Sequence, residues 1–571
     1  MKKLMRSSLV ALSLTVAVLG MVGCNETTNS GNNSTSSETS ASSLDNTGVD
    51  PTKAVTVTWW NNYQAPEISD TLTEAQARAK PTYREYYYAK DLIDAFHTEH
   101  PNITVNQVYK GSYSDIAKAV NTAGASGDTP SMCSVYGDNV AVFDKAGLTL
   151  DVSGYVNDAN VGFGMKTTSA GKYVADSTTA LSDLNQNYLD IEKGMYNGKF
   201  LSMPYSKSGE TLVVNQTVFD KVGEGECGTS TTNDKGVAVY TAPVAAASKA
   251  AYTVPTTWKQ MITTARQMQT DFPTLFANQK DADGYFKSIP FCWDSGQNMF
   301  ISLCKNMGIK YTNGSATKAS EQVAFNNADA KKLMVQLKKW NNEGLICTQN
   351  QLPITNAAKG YHDYSSNKAV AGTIFMCMSS TAGARYFATN GGFEATLNQP
   401  LAIDSNVYDF TKDSTVTSVK NVVSQGPSIT FFKKSDVNEE RASWEFYKYL
   451  TNTTNSATLA KNTAYFPLRT SSYNTDDIKA ITAAGTAGTT ADANSSAKGN
   501  CYTGEALNLN TTYTTDGKFF LSDVFEYSSA CRTAVGNIVD TVFNDKTATT
   551  DADITTLVEN AFNTAYAAVL A

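Results

Sequence analysis

The side chains of this chain that could do chemistry are aromatic rings set beside short polar groups. Trp60 with Asn61, Ser112 with Tyr113, and Tyr136 with Asp138 each follow a β-rich run, and in α/β sheets ligands gather beyond strand C-termini. Ring faces stack, while amide, hydroxyl and carboxylate groups hydrogen-bond; together these make a binding cleft. Trp59 and Trp60 are neighbours on one strand and point to opposite faces, so at most one of them is expected to meet a ligand. Metal and nucleophile chemistry is poorly provided for. The chain has 3 histidines and 9 cysteines, no CxxC pair occurs, and most cysteines sit in apolar runs such as Thr373–Cys377, which predicts buried free thiols. No cofactor and no metal are expected.

The elements that must hold these residues follow from hydrophobic spacing. Ala54–Trp60 reads as a strand, Tyr83–Glu99 as a helix stopped by Pro101, Ile103–Tyr109 as a strand and Tyr113–Ala125 as a helix. Ser131–Tyr136 is a strand leading into a helix that ends at Gly147. This strand–helix–strand order predicts a parallel sheet with helices on its faces. Tyr196–Asn215 then reads as a turn, a strand over Lys199–Met203, a bend at Pro204, a flexible joint at Ser206–Gly209 and a second strand. Long βα-patterned tracts lie on both sides, so the stretch is expected to cross between two lobes. Trp258 and Trp444 fall within helical patterns and are assigned to the core.

At 571 residues the chain is too long for one core. Its net charge of −8 argues against nucleic acid and anionic membrane surfaces as partners. Residues 1–23 read as a secretory leader, with Lys2, Lys3 and Arg6 before an apolar run. Gly20-Met21-Val22-Gly23-Cys24 resembles a bacterial lipobox, which implies cleavage before Cys24 and lipidation of its sulfur. Residues 24–53 are rich in Ser, Thr and Asn and predict a disordered tether. Tracts near 221–254 and 473–515 turn to small and polar residues and are expected as surface loops.

Several short motifs, in order, resemble one family. Trp59-Trp60-Asn61, Pro101–Val105, Gly111–Asp115, Ala125–Pro130, Ala146–Leu148, Asn197–Lys199, Met203–Tyr205, Val254–Trp258, Gln425–Ser428, Trp444–Leu450 and Tyr465–Arg469 are together similar to the family 1 extracellular solute-binding proteins of ABC importers, the maltose-binding-protein group. The resemblance implies an α/β, two-lobed periplasmic-binding-protein-like fold of type II. Each lobe would be a mainly parallel sheet flanked by helices, the two joined by a hinge that closes over a solute. It places one lobe in residues 54–207 with about 430–462, and the other in about 208–429 with 463–571. Crossings are expected at Ser206–Leu212, Gln425–Phe431 and Lys461–Tyr465.

The resemblance further implies a carbohydrate ligand, expected to be an oligosaccharide. Pyranose C–H faces stack on Trp and Tyr, and ring hydroxyls need short donors and acceptors. Trp60, Tyr136, Trp293 and Tyr465 are then platforms, and Asn61, Asp138, Asp294 and Arg469 hold hydroxyls. Ser112, Tyr113, Tyr205, Ser379, Ser380 and Gln425 complete the candidate set, with Arg532 from an Arg-Thr-Ala-Val run similar to one in the family's last helices. The protein is expected to be a monomer that is no enzyme. It would be lipid-anchored through Cys24 to the outer face of the bacterial cytoplasmic membrane and would deliver its solute to a two-subunit permease. The alternatives are a glycoside-degrading enzyme using Asp138 and Asp294, a surface adhesin, and a binding protein for a glycerol phosphate.

Overall fold

A computed structural model describes Leu44 and residues 47–571, apart from 70, 222–230, 233–237, 240–250, 278, 358–359 and 404–420. The leader, Cys24 and most of the tether lie outside the described residues, as do Cys227 and much of the 221–254 tract. Residues 43–571 form one compact unit.

Two five-stranded sheets organise that unit. In the first, Ile103–Tyr109, Val55–Asn61 and Met132–Val135 run parallel, and Ser428–Phe431 runs antiparallel beside Met132–Val135 and carries Ser202–Pro204 on its far side. In the second, Ile346–Thr348, Ile289–Trp293 and Ile374–Ser380 are parallel, and Glu210–Asn215 runs antiparallel between Ile374–Ser380 and Ala395–Asn398. Each sheet is therefore mainly parallel with one reversed strand. The reversal has a topological cause. Ser202–Pro204 leaves the first sheet at the C-terminal edge of its parallel neighbours, so Glu210–Asn215 enters the second sheet at the matching edge and must run the other way. Ser428–Phe431 makes the return trip under the same constraint.

Helices cover the faces. Arg84–Glu99 and Val437–Leu450 bury Phe96, Trp444, Phe446 and Tyr447 beneath the first sheet. Trp258–Asp271, Gly296–Met307, Ala328–Asn342 and Ser528–Asn544 enclose the core of the second. There Trp258 stacks between Trp293 and Trp340, with centroids 6.1 and 5.8 Å away, and Trp444 likewise lies in the core, donating to the Val161 carbonyl at 2.8 Å. The seven cysteines among the described residues are free and buried. Cys292, Cys347 and Cys377 share one register across three neighbouring strands.

Two expectations are corrected. The tether does not run to residue 53: Asn438 holds the Gly48 carbonyl at 3.1 Å and the Asp50 amide at 2.7 Å, and Lys53 pairs with Asp436 at 2.8 Å. The 473–515 tract is not a loop. It folds into the helices Asp476–Ala487 and Ser495–Thr515. Gly485 and Gly504 let their backbones meet, since a Cβ on Gly504 would sit 2.0 Å from the Ile481 carbonyl oxygen. Small residues that mimic loop composition here serve close helix packing.

Candidate functional site

Among the described residues, three chain segments that run between the sheets pair with one another. Lys207 bridges to Phe466 and Ser208 to Gln425 in antiparallel fashion, and the Ser208 and Gln425 backbones exchange hydrogen bonds of 2.8 and 3.0 Å. Gly426 is required where they touch. It sits at φ +89°, and a Cβ there would lie 1.7 Å from the Ser206 carbonyl oxygen. The expected flexible joint is in fact buried: Ser206, Lys207 and Ser208 are at most 3% exposed. Lys207 Nζ donates to Glu192 at 3.0 Å and to Ser428 Oγ at 2.7 Å, and Ser202 donates to the other Glu192 oxygen at 2.6 Å. A buried pair of this kind is tolerated because its remaining lone pairs are filled.

Beyond the joint, Glu210 opens the strand Glu210–Asn215, ahead of the apolar Leu212–Val214, and is 4% exposed. Trp293 Nε1 donates to one carboxylate oxygen at 2.9 Å and the Ser302 hydroxyl to the other at 3.2 Å. Burial pushes its carboxyl up from 4.5 to about 7, against these hydrogen bonds and nearby Arg532.

A small cavity of ≈ 50 Å³ lies between the two sheet bodies and is lined by Tyr136, Asp138, Tyr311, Gln425, Asp523 and Arg532, among others. Tyr136 and Asp138 stand at the start of the helix Gly137–Lys145, beyond the first sheet, because Met132–Val135 ends there. Arg532 comes from Ser528–Asn544 on the second body; its guanidinium lies 5.8 Å from the Tyr136 ring centroid and donates to Asn298 Oδ1. Burial raises the Asp138 carboxyl, and Arg532 opposes that rise. On the cavity wall Ser424 Oγ is buried without a hydrogen-bond partner, a polar atom free for a ligand hydroxyl. Beside the cavity the two bodies touch. Ser528 Oγ donates to the Asp138 carbonyl at 3.2 Å, Ser529 Oγ to Asn139 Oδ1 at 3.0 Å, and Lys145 pairs with Glu526.

Of the residues singled out from sequence, Tyr136, Asp138, Gln425 and Arg532 meet in this cavity. Tyr113 packs edge-on against Tyr136 at 4.9 Å and neighbours Tyr465, continuing the aromatic line. Ser379 and Ser380 lie on the second sheet, Ser380 Oγ donating to Ser208 Oγ at 3.2 Å. Asp294 lies near Ser365 and Ser379, and burial raises its carboxyl. The remaining residues are placed elsewhere. Trp60 has the Lys110 ammonium 4.2 Å over its ring, while Trp59 is core and donates to Ser134. Asn61 is buried and accepts the Tyr63 amide, and Ser112 caps its helix in a box with Asp115. Tyr205 is 1% exposed and touches Tyr63. Trp293 has its ring on Trp258 and its N–H on Glu210, so no open platform remains. Arg469 is fully buried and donates to the Thr451 and Ala180 carbonyls. Sequence reasoning missed Glu210, Tyr311 and Asp523. Glu210 had a readable signal, an acid just ahead of the apolar run Leu212–Val214; the other two had none.

A family described as bacterial extracellular solute-binding protein matches residues 91–486. No curated protein matches the sequence. Among solved structures, similar folds include the cyclic alpha-maltosyl-1,6-maltose binding protein of Arthrobacter globiformis, at 13% identity and TM-score 0.52 over 90% of this chain and 99% of that one. A maltose/maltodextrin-binding domain of Bdellovibrio bacteriovorus bound to maltotriose shows 13% identity and TM-score 0.53 over 89% and 99%. UgpB of Mycobacterium tuberculosis in complex with glycerophosphocholine shows 12% identity and TM-score 0.56 over 90% and 98%. The fold is the two-lobed one of these binding proteins, with the cavity between the lobes.

Proposed function

The chain belongs to the bacterial extracellular solute-binding protein family, and from that premise we propose that it captures a neutral oligosaccharide between closing lobes and delivers it to an ABC-importer permease. The observation that carries this reading is the cavity shared by the two bodies, where Tyr136 offers a ring face and Asp138, Ser424, Asp523 and Arg532 offer hydroxyl-binding groups. A phosphate solute would call for net positive charge. Here Arg532 is offset by Asp138 and Asp523, which supports a neutral ligand.

The lobes are assigned to 54–207 with about 430–462, and to about 208–429 with 463–571, and the three paired crossings serve as the hinge. On closure water leaves, so hydrogen bonds to sugar hydroxyls form in a drier setting. Affinity is set in the micromolar range, about −8 kcal/mol, because the permease must take the solute back. The mature chain is a monomer that begins at Cys24 and is held by lipid on that sulfur, outside the cytoplasmic membrane.

Calorimetry and thermal shift against a panel of mono- and oligosaccharides test the reading; saturable binding by at least one sugar is expected, and none by glycerol phosphates. Asp138→Asn and Arg532→Ala are each expected to weaken that binding at least about tenfold. Chromatography after prolonged incubation is expected to return the sugar unchanged, and product release would replace this reading with a hydrolytic one.

A further inference from the structure

Arg532 reaches the cavity with its guanidinium anchored on one neighbour. It donates to Asn298 Oδ1 and lies 5.8 Å from the Tyr136 ring centroid. Asn298 belongs to the helix Gly296–Met307 and stands one turn before Ser302, so the two side chains share a face. On that face the Ser302 hydroxyl donates to Glu210 at 3.2 Å, and Asn298 is itself buried. One buried amide therefore separates Glu210 from the cavity arginine. From other sides Trp293 Nε1 donates to the Glu210 carboxylate at 2.9 Å, Tyr513 OH donates to its backbone carbonyl at 3.1 Å, and Ser380 pairs with it across the sheet. Of the groups that face Glu210, Arg532 is charged, Tyr513 is titratable, and Trp293, Asn298, Ser302 and Ser380 are neutral.

Amide polarity makes this arrangement directional. An asparagine side chain has an acceptor end and a donor end, whereas a guanidinium has donors alone. With its oxygen taken by Arg532, Asn298 presents its N–H groups to an acceptor, and Glu210 is the acceptor on that side. The flipped amide would set N–H against guanidinium and oxygen against carboxylate, leaving buried donors and acceptors unpaired.

We propose that Glu210 is a positioning residue for solute capture: acting through Asn298, it holds the Arg532 guanidinium in the orientation that meets a ligand hydroxyl. The inference deepens the proposed site and rests on Arg532 binding the solute. Burial raises the Glu210 carboxyl to about 7, so both of its forms are present near neutral pH. The ionised form accepts from Trp293, Ser302 and Asn298 together. The protonated form has to donate, and of those three only the Ser302 hydroxyl has an acceptor to spare, which loosens the hold on Asn298. Affinity then falls as pH falls through 7, and by linkage capture releases protons near that pH. Asp138 faces Arg532 from the first body with its carboxyl also raised by burial, and substitution at Glu210 separates the two carboxyls.

Crystal structures without sugar are the first arm of the test. The Arg532 guanidinium is expected to leave Asn298 in Glu210→Leu and to stay in Glu210→Gln, which keeps an acceptor oxygen. An unmoved Arg532 in Glu210→Leu would overturn the proposal. The second arm needs no leucine at 210 and therefore stands if that variant fails to fold. It is calorimetry from pH 5.5 to 8, in two buffers of different ionisation enthalpy, with α-1,4- and β-1,4-linked gluco-oligosaccharides of two to seven units. For the sugars that bind, the parent is expected to lose about tenfold in affinity towards pH 5.5 and to release protons near pH 7. Glu210→Gln is expected to lose the proton release, and so is Asn298→Leu, in which Glu210 is intact but cut off from Arg532. Proton release that survives in either variant would overturn the relay while leaving the carbohydrate reading in place. If no sugar of either series binds at any pH, the carbohydrate reading falls and the capture role of Glu210 falls with it.

Discussion

Glu210 is the residue where the physics of this site is most concentrated. It links the strand leaving the hinge to Trp293, Ser302 and the neighbourhood of Arg532, and its carboxyl is raised from 4.5 to about 7 chiefly by burial. Because the native state keeps a proton that the unfolded chain releases, this group's contribution is complete below about pH 4.5 and is lost as pH rises towards 7. Denaturant unfolding of the parent and of Glu210→Gln from pH 4 to 8 is expected to show the parent losing stability relative to the variant over that interval. The difference should reach about 3 kcal/mol above pH 7. Equal slopes would mean that Glu210 titrates as an ordinary carboxylate. This residue was readable as an acid just ahead of an apolar run, but its partners come from positions 83 and 92 residues away, which no local pattern contains.

At the scale of elements, periodicity found the scaffold. The expected strand Ile103–Tyr109 is present with those bounds, and the helices expected at Tyr83–Glu99 and Tyr113–Ala125 run from Arg84 to Glu99 and from Tyr113 to Ser126. The helical pair Asp476–Ala487 and Ser495–Thr515 was misread because Gly, Ala, Ser and Thr signal a loop when counted but permit backbone contact when two helices face each other. That pair braces the region behind the hinge. Tyr513 OH donates to the Glu210 carbonyl at 3.1 Å, and Tyr188 OH from the first body donates to Asn510 at 2.8 Å. Gly504→Ala is expected to cost about 3 kcal/mol, read as a lowered urea midpoint, because its Cβ has no space against the Ile481 carbonyl. A neutral result would show that the two helices can separate freely.

For the molecule taken whole, the contacts across the cavity combine polar and apolar groups: Ser528 on the Asp138 carbonyl, Ser529 on Asn139, the Lys145–Glu526 pair at the surface, and Val524 against the cluster of Val135 and Val140. Small-angle scattering is expected to give a larger radius of gyration without sugar than with it, and superimposable curves would contradict a closing mechanism. Since exposed ion pairs are weak and screened, Glu526→Ala is expected to lower affinity only about two- to fivefold, an effect that fades in high salt. A loss far beyond that range would place Glu526 in contact with ligand.

Local pattern was enough to read the α/β class, the family, most of the strand and helix bounds in the first sheet, and the presence of aromatic and short polar groups at strand ends, because period and strand-end position are local properties of a chain. Which of those groups meet depends on long-range packing. Tyr136, Asp138, Gln425 and Arg532 share a cavity, whereas Trp293, Tyr205 and Arg469 are consumed by the interior. A buried ring or guanidinium has the same sequence signature as one facing a cleft. The difference is set by what packs across from it, here residues tens to hundreds of positions away that the reversed strands and paired crossings bring together.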